Sequence, residues 1–301
     1  MYDIIIIGAG PAGLSAAIYG VRAGKRVLVC EKKNYGGQIV NTPEVENYPG
    51  IPKISGYEFA SNLYHQAVEL GAEIVYEKVI RIEDEGIGKK VVTEEHVYDC
   101  KTVVIATGAR NRELGVEREN ELLGSGVSYC ATCDGMFFRG KDVAVVGGGN
   151  TALEDALFLS NYCRKVYLIH RRDEFRGESK LLNALQERDN VEFILKHIVT
   201  TLKGEKLLSA ITIQETDTKE EKDIPVSGLF IAVGQEPENE AFENLVETDS
   251  KGYIVAGETC ETKCQGIYTA GDCRTKEVRQ LTTATSDGAV AALKACEYCN
   301  Q

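Results

Sequence analysis

Two cysteines three positions apart, Cys130-Ala131-Thr132-Cys133, are followed at once by an acid, Asp134. Thiols at this spacing can close a small disulfide ring, and the motif commonly lowers the pKa of one of them. A carboxyl group next in sequence is placed to pass a proton to or from a thiolate. Zinc would normally need a second pair of ligands close by. The other close pairs, Cys260/Cys264 and Cys296/Cys299, are distant in sequence, and the chain has only four histidines. Thiol–disulfide exchange is therefore the expected chemistry of Cys130, Cys133 and Asp134, ahead of a metal site or a structural bridge.

A second kind of chemistry is carried by glycines. Ile4-Ile5-Ile6-Ile7 reads as a strand buried on both faces. Gly8-Ala9-Gly10-Pro11-Ala12-Gly13 follows, and then a run of small, helix-compatible residues from Leu14 to Ala23. Strand, G-x-G-x-x-G and helix form a pyrophosphate cradle: a tight turn at Gly8, close backbone approach at Gly10 and close helix packing at Gly13. A second strand, 26–30, ends at Glu31, where a ribose hydroxyl needs an acceptor. The device then recurs as Val143-Ala144-Val145-Val146, Gly147-Gly148-Gly149-Asn150-Thr151-Ala152, a helical segment and the strand 165–169. Gly147 lies 139 residues after Gly8, and His170 lies 139 residues after Glu31. The copies differ at that ribose position, where the second has His170, Arg171 and Arg172, with Arg176 beyond. A carboxylate suits a free 2′-hydroxyl, whereas arginines suit a 2′-phosphate. The first site is expected to take FAD or NAD and the second NADP(H).

These elements imply an α/β protein with a nested order. Strand-to-glycine units at 102–108, 228–234 and 266–272 continue the pattern, and the last ends in Gly271-Asp272. A helix is expected over 283–298. The expected domains are 1–111 and 242–301 as two parts of one, with 112–241 inserted between them. Linking strands near 111–115 and 235–240 would act as a hinge.

The 301 residues carry a formal net charge of −12, a poor match for nucleic acid or an anionic membrane. Residues 4–21 form an uncharged stretch long enough to span a bilayer, but four glycines and a proline favour the strand–turn–helix reading. The chain opens Met1-Tyr2-Asp3 with no basic n-region, so no signal peptide is expected. Ten cysteines then point to thiols in a reducing, cytoplasmic setting.

From end to end the motifs resemble the bacterial low-molecular-weight thioredoxin reductases: 8–13, Gly36-Gly37-Gln38, Glu46-Asn47-Tyr48-Pro49-Gly50, Ala106-Thr107-Gly108, 130–134, 147–152, His170-Arg171-Arg172 with Arg176, and Gly271-Asp272. The resemblance implies two Rossmann-like domains, the NADPH domain inserted into the FAD domain, in a homodimeric flavoenzyme. Hydride would pass from NADPH to the flavin, the reduced flavin would reduce a Cys130–Cys133 disulfide, and the dithiol would reduce thioredoxin by exchange through a mixed disulfide. Cys133 would lie nearer the flavin and Asp134 would carry the proton. The inserted domain would rotate between the half-reactions. The implied FAD contacts are Gly10, Pro11, Ala12, Glu31, Gly37, Gln38, Asn47, Val79, Gly108, Asp272, Arg279, Gln280 and Leu281. Those implied for NADPH are Gly149, Asn150, Thr151, His170, Arg171, Arg172 and Arg176.

The larger disulfide reductases fit less well, because 32–50 contains no cysteine and no histidine follows His197. A flavin-dependent dithiol oxidase and a ferredoxin-linked thioredoxin reductase share the scaffold. Neither needs the arginines at 171, 172 and 176. Cys296-Glu297-Tyr298-Cys299 is a second C-x-x-C, readable as an electron relay or as two thiols at a helix end.

Overall fold

The structure is a computed structural model that describes every residue except Pro43 and Ile87. The chain divides into two compact units, Met1–Arg110 with Glu236–Gln301, and Asn111–Gln235. The chain crosses between them at two short strands, Ala109–Asn111 and Gln235–Pro237, which pair with each other.

The first unit is built on a seven-stranded sheet. Its centre is Tyr2–Ile7, whose four isoleucines are buried, each contributing about 2 kcal/mol of apolar burial. Val27–Cys30 pairs with it in parallel on one side and Val97–Ile105 on the other. Glu73–Val75 continues the sheet beyond Val27–Cys30. The free edge of Val97–Ile105 is shared: its first half pairs antiparallel with Lys89–Thr93, its last three residues parallel with Ile267–Thr269. Val79–Asp84 completes the hairpin with Lys89–Thr93. The helices Pro11–Arg22 and Leu281–Cys299 pack through small residues. A Cβ at Gly288 would collide with the Ala12 carbonyl oxygen, so the lack of a side chain there lets the two backbones come close. Gln280 and Thr283 form a reciprocal cap that starts the second of these helices.

The second unit holds a five-stranded parallel sheet in the order Val191–Leu195, Lys165–His170, Asp142–Val146, Gly228–Ile231, Val127–Ser128. The helix Asn150–Ser160 packs on it through Ala152, Leu153, Ala156 and Leu159. A three-stranded antiparallel layer, His197–Lys203, Ala210–Glu215 and Glu221–Pro225, covers a second apolar cluster. Among the described residues no helix is long and apolar enough to cross a membrane. The uncharged stretch 4–21 is a strand, a turn and a helix.

Candidate functional site

Glu31 follows the buried strand Val27–Cys30 and is itself only 8% exposed. Its two carboxylate oxygens accept the Ala9 N–H at 2.8 Å and the Lys33 N–H at 2.9 Å, which ties the strand end to the glycine turn. Gly8 has φ +106°, and a Cβ there would strike the Ala106 carbonyl oxygen. Gly10 caps the helix and Pro11 opens it, so the early N–H groups of Ala12 and Gly13 have no helical acceptor. The Gly36 N–H donates to the Ala9 carbonyl at 2.7 Å, and Gly37 comes up against Gly10. Gln38 donates its side-chain amide to the Ala109 carbonyl, and Gly108 stands in open space. From the far end of the chain, Gly271 sits against Ala12, and Asn47 donates to Gln280, one residue before Leu281 opens the last helix. Arg279 lies over the Tyr253 ring at 4.1 Å. Val79 packs in the core cluster that holds Cys30. The residues expected at the first nucleotide thus gather in one unit.

One polar cluster behind this turn has no sequence motif. Asp287 accepts from Gly271 N (3.0 Å), Arg274 (2.7 and 2.8 Å) and Lys276 (2.9 Å). Burial would raise its pKa, but the two cations outweigh burial and hold it below the usual carboxylate range. Asp272, next to Gly271, is raised instead: burial dominates over Lys276 and Arg279.

The second turn repeats the geometry. Gly149 caps the helix that Asn150 and Thr151 open, and a Cβ at Gly147 would strike the Ala232 carbonyl oxygen. His170 ends its strand only 4% exposed, with its ring stacked on Phe175 at 5.4 Å and seated where a side chain on Gly148 would have to go. Burial, and then Arg176, Arg172 and Arg171, hold the imidazole below its ordinary pKa. Those three arginines are exposed.

Cys130 and Cys133 are joined by a disulfide, Cys130 capping the short helix Ala131–Asp134. Burial pushes the Asp134 carboxyl up, against a 2.6 Å hydrogen bond from Ser128. The Ser128 hydroxyl also accepts the Cys130 N–H at 3.0 Å, linking acid and cysteine. Ser128 escaped the sequence reading because nothing in its spacing separates it from an ordinary strand serine. The other eight cysteines are free thiols. Cys260 donates to the Asp287 carbonyl and Cys264 to Asp84, so the two face different partners. Cys296 is buried, and Cys299 donates to the Asp3 carbonyl at 3.4 Å.

Three buried side-chain polar atoms have no hydrogen-bond partner among the described residues: Asp134 Oδ1, His170 Nε2 and Asp272 Oδ1. One lies in each candidate site. An orphaned buried polar atom is costly unless something outside the chain satisfies it, so the residues present fit bound nucleotides and a proton-carrying acid.

Residues 2–288 match the family described as pyridine nucleotide-disulphide oxidoreductase. The chain belongs to that family. Within it, the thioredoxin reductase of Bacillus subtilis (strain 168) is 42% identical over 299 residues, spanning 99% of this chain and 95% of the relative. A bifunctional thioredoxin reductase/thioredoxin of Mycobacterium leprae is 42% identical over 298 residues, 98% of this chain and 65% of the relative. The thioredoxin reductase crystal structure from Streptococcus pyogenes matches with a TM-score of 0.95 at 42% identity, covering 100% and 98% of the two chains. The Cys130–Cys133 disulfide is a close pair that fits the redox dithiol of a thioredoxin reductase.

Proposed function

We propose that this chain reduces the disulfide of thioredoxin, or of a thioredoxin-like protein, with NADPH as electron donor and FAD as resident cofactor. The observation that carries the reading is the Cys130–Cys133 disulfide with the half-buried Asp134 beside it, its carboxyl pushed up by burial. The Mycobacterium leprae relative, whose name joins both activities, supports thioredoxin as the partner.

The first unit would hold FAD through Gly8, Gly10, Pro11, Ala12, Gly13 and Glu31, with Gly36, Gly37, Gln38, Asn47, Val79 and Gly108 on one side. Gly271, Asp272, Arg279, Gln280 and Leu281 would close the other. The second would hold NADPH through Gly147, Gly149, Asn150, Thr151, His170, Arg171, Arg172 and Arg176. When bound, FAD supplies a two-electron carrier between a nicotinamide and a disulfide. The chain's own part is thiol chemistry. Two electrons and two protons, one relayed by Asp134 and one from solvent, convert the Cys130–Cys133 bond to a dithiol whose protons pass to the partner's sulfurs in the exchange. The Cys130 thiolate then attacks a sulfur of the partner's disulfide, whose other sulfur leaves. Cys133 displaces the partner, which departs as a dithiol, and the Cys130–Cys133 bond re-forms. A homodimer, a cytoplasmic setting and a rotation of the inserted unit about its two linking strands complete the proposal.

Anaerobic titration tests it. Bleaching of the flavin band should need about two equivalents of NADPH, one for the flavin and one for the disulfide. NADH should act far more weakly. Bleaching by a dithiol and by neither nucleotide would refute the donor assignment.

A further inference from the structure

The segment 171–178 carries Arg171, Arg172 and Arg176 and looks, in sequence, like an unconstrained polar loop. It is fastened. The Arg176 N–H donates to the Gly148 carbonyl at 2.7 Å. Two residues on, the side chain of Asn150 donates to Glu178 Oε1 at 2.9 Å, and its Oδ1 accepts the Glu178 N–H at 2.9 Å. Gly177, between these anchors, has no room for a Cβ against Leu153. The far end of the arginine loop is therefore bonded to both arms of the second glycine turn. The Asn150 side chain has both of its polar ends engaged in that fastening, which leaves its backbone N–H as its contribution to a phosphate.

We propose that Glu178 is a positioning residue for 2′-phosphate selectivity. Its carboxylate, through Asn150, holds the arginine loop against the phosphate turn, so that the guanidinium groups meet a 2′-phosphate as a preformed cluster. The ordering of the loop is then done in folding and not charged against binding. The inference rests on the reading of NADPH as donor.

Glu178 is also a negative charge beside a site for a negative ligand. Electrostatics alone says that removing it strengthens binding of the 2′-phosphate; the latch says that removing it weakens it. Two variants of this exposed residue separate the effects. Glu178→Ala removes both charge and acceptor, while Glu178→Gln removes the charge and keeps an oxygen for Asn150.

Calorimetric titration of the holoenzyme with adenosine 2′,5′-bisphosphate and with 5′-AMP reads selectivity without turnover. The wild-type should favour the bisphosphate. Glu178→Ala should cut that preference about five- to tenfold, the range an ordinary hydrogen bond carries, and Glu178→Gln should keep it. In turnover the Glu178→Ala loss should fall on KM for NADPH, with KM for NADH nearly constant. An unchanged or increased preference in Glu178→Ala, or an equal fall in both variants, overturns the latch while leaving the donor assignment standing. A wild-type indifferent to the 2′-phosphate overturns the donor assignment and the latch together.

Discussion

In the first unit Tyr2–Ile7 pairs with Val27–Cys30 from Ile4 opposite Val27 to Ile7 opposite Cys30. In the second, Asp142–Val146 pairs with Lys165–His170 from Val143 opposite Val166 to Val146 opposite Ile169, the same register 139 residues on. Both glycine turns press against the end of the next strand, at Ala106 and Ala232, and both helices are capped by a glycine. The backbone device for a pyrophosphate is thus one solution used twice. The side chains around it are not shared. One ribose position holds a carboxylate tied to the turn; the other holds a buried imidazole below its usual pKa, with three exposed arginines after it. Among the described residues, only the second unit carries a disulfide. The two copies share a backbone geometry and differ in their side chains, which is where the proposed function puts nucleotide selectivity.

The largest effect should come from the feature without a counterpart. Cys133→Ser should lower disulfide reduction by about a thousandfold or more, because one member of a unit that acts together is gone. Flavin bleaching should persist and should need one equivalent of NADPH where the wild-type needs two. A variant that still turns over would place the chemistry elsewhere.

The ribose position comes next. Arg171→Ala, Arg172→Ala and Arg176→Ala combined should reduce the kcat/KM preference for NADPH over NADH by about 100- to 1000-fold, given the strength of charge-assisted bonds to phosphate. Turnover with NADH should change little. An equal loss with both nucleotides would mean that the arginines hold the loop or the fold and do not read the phosphate.

The third small position of each turn offers a smaller contrast. A Cβ on Gly13 would collide with the Gly8 carbonyl oxygen, whereas the matching residue of the second turn is Ala152, buried beside Gly147. Gly13→Ala should therefore cost about 1–3 kcal/mol through overpacking, and FAD retention, read as the ratio of flavin to protein absorbance, should fall. Ala152→Gly should cost about 1 kcal/mol, mainly helix propensity, with no loss of FAD. Equal effects in thermal melts would mean that the two turns are packed alike.

Much of this was legible in the sequence because the signals are local. Four consecutive isoleucines, a glycine triplet and a strand ending in Glu31 or His170 need no knowledge of the rest of the chain. The redox motif is equally local. What the sequence hid is long-range. Asp287 meets Gly271 and Arg274 only because the last helix folds back on the turn, and Gly288 takes its meaning from Ala12, far away in the chain. Asn150 reads as a ligand from its place after the glycines, yet its side chain is bonded to Glu178. Ser128 becomes part of the redox site only when its short strand places it under Asp134. The antiparallel layer 197–225 has no motif at all, and its alternating pattern is diluted by threonines and charges.

The smallest expected effect concerns the helix faces. In the first unit Ala12 and Ala16 form the face that meets Gly288, and Ala16 is fully buried. The residues 139 positions on are Thr151 and Asp155. Burial, with Glu154 adding to it, pushes the Asp155 carboxyl up to about 7. A carboxyl group whose pKa is higher folded than unfolded binds its proton more tightly in the native state. Its contribution to stability is intact below the unfolded value of about 4 and is lost as the pH climbs from there towards 7. Asp155→Asn removes the titration. The variant should melt about 2–4 °C above the wild-type at pH 8, the shift that about 1 kcal/mol produces in a chain of this size. That gain should vanish at pH 4, where the wild-type carboxyl is already neutral in the fold. A gain of equal size at both pH values would show that the amide simply packs better, and that the second helix differs from the first in shape and not in charge.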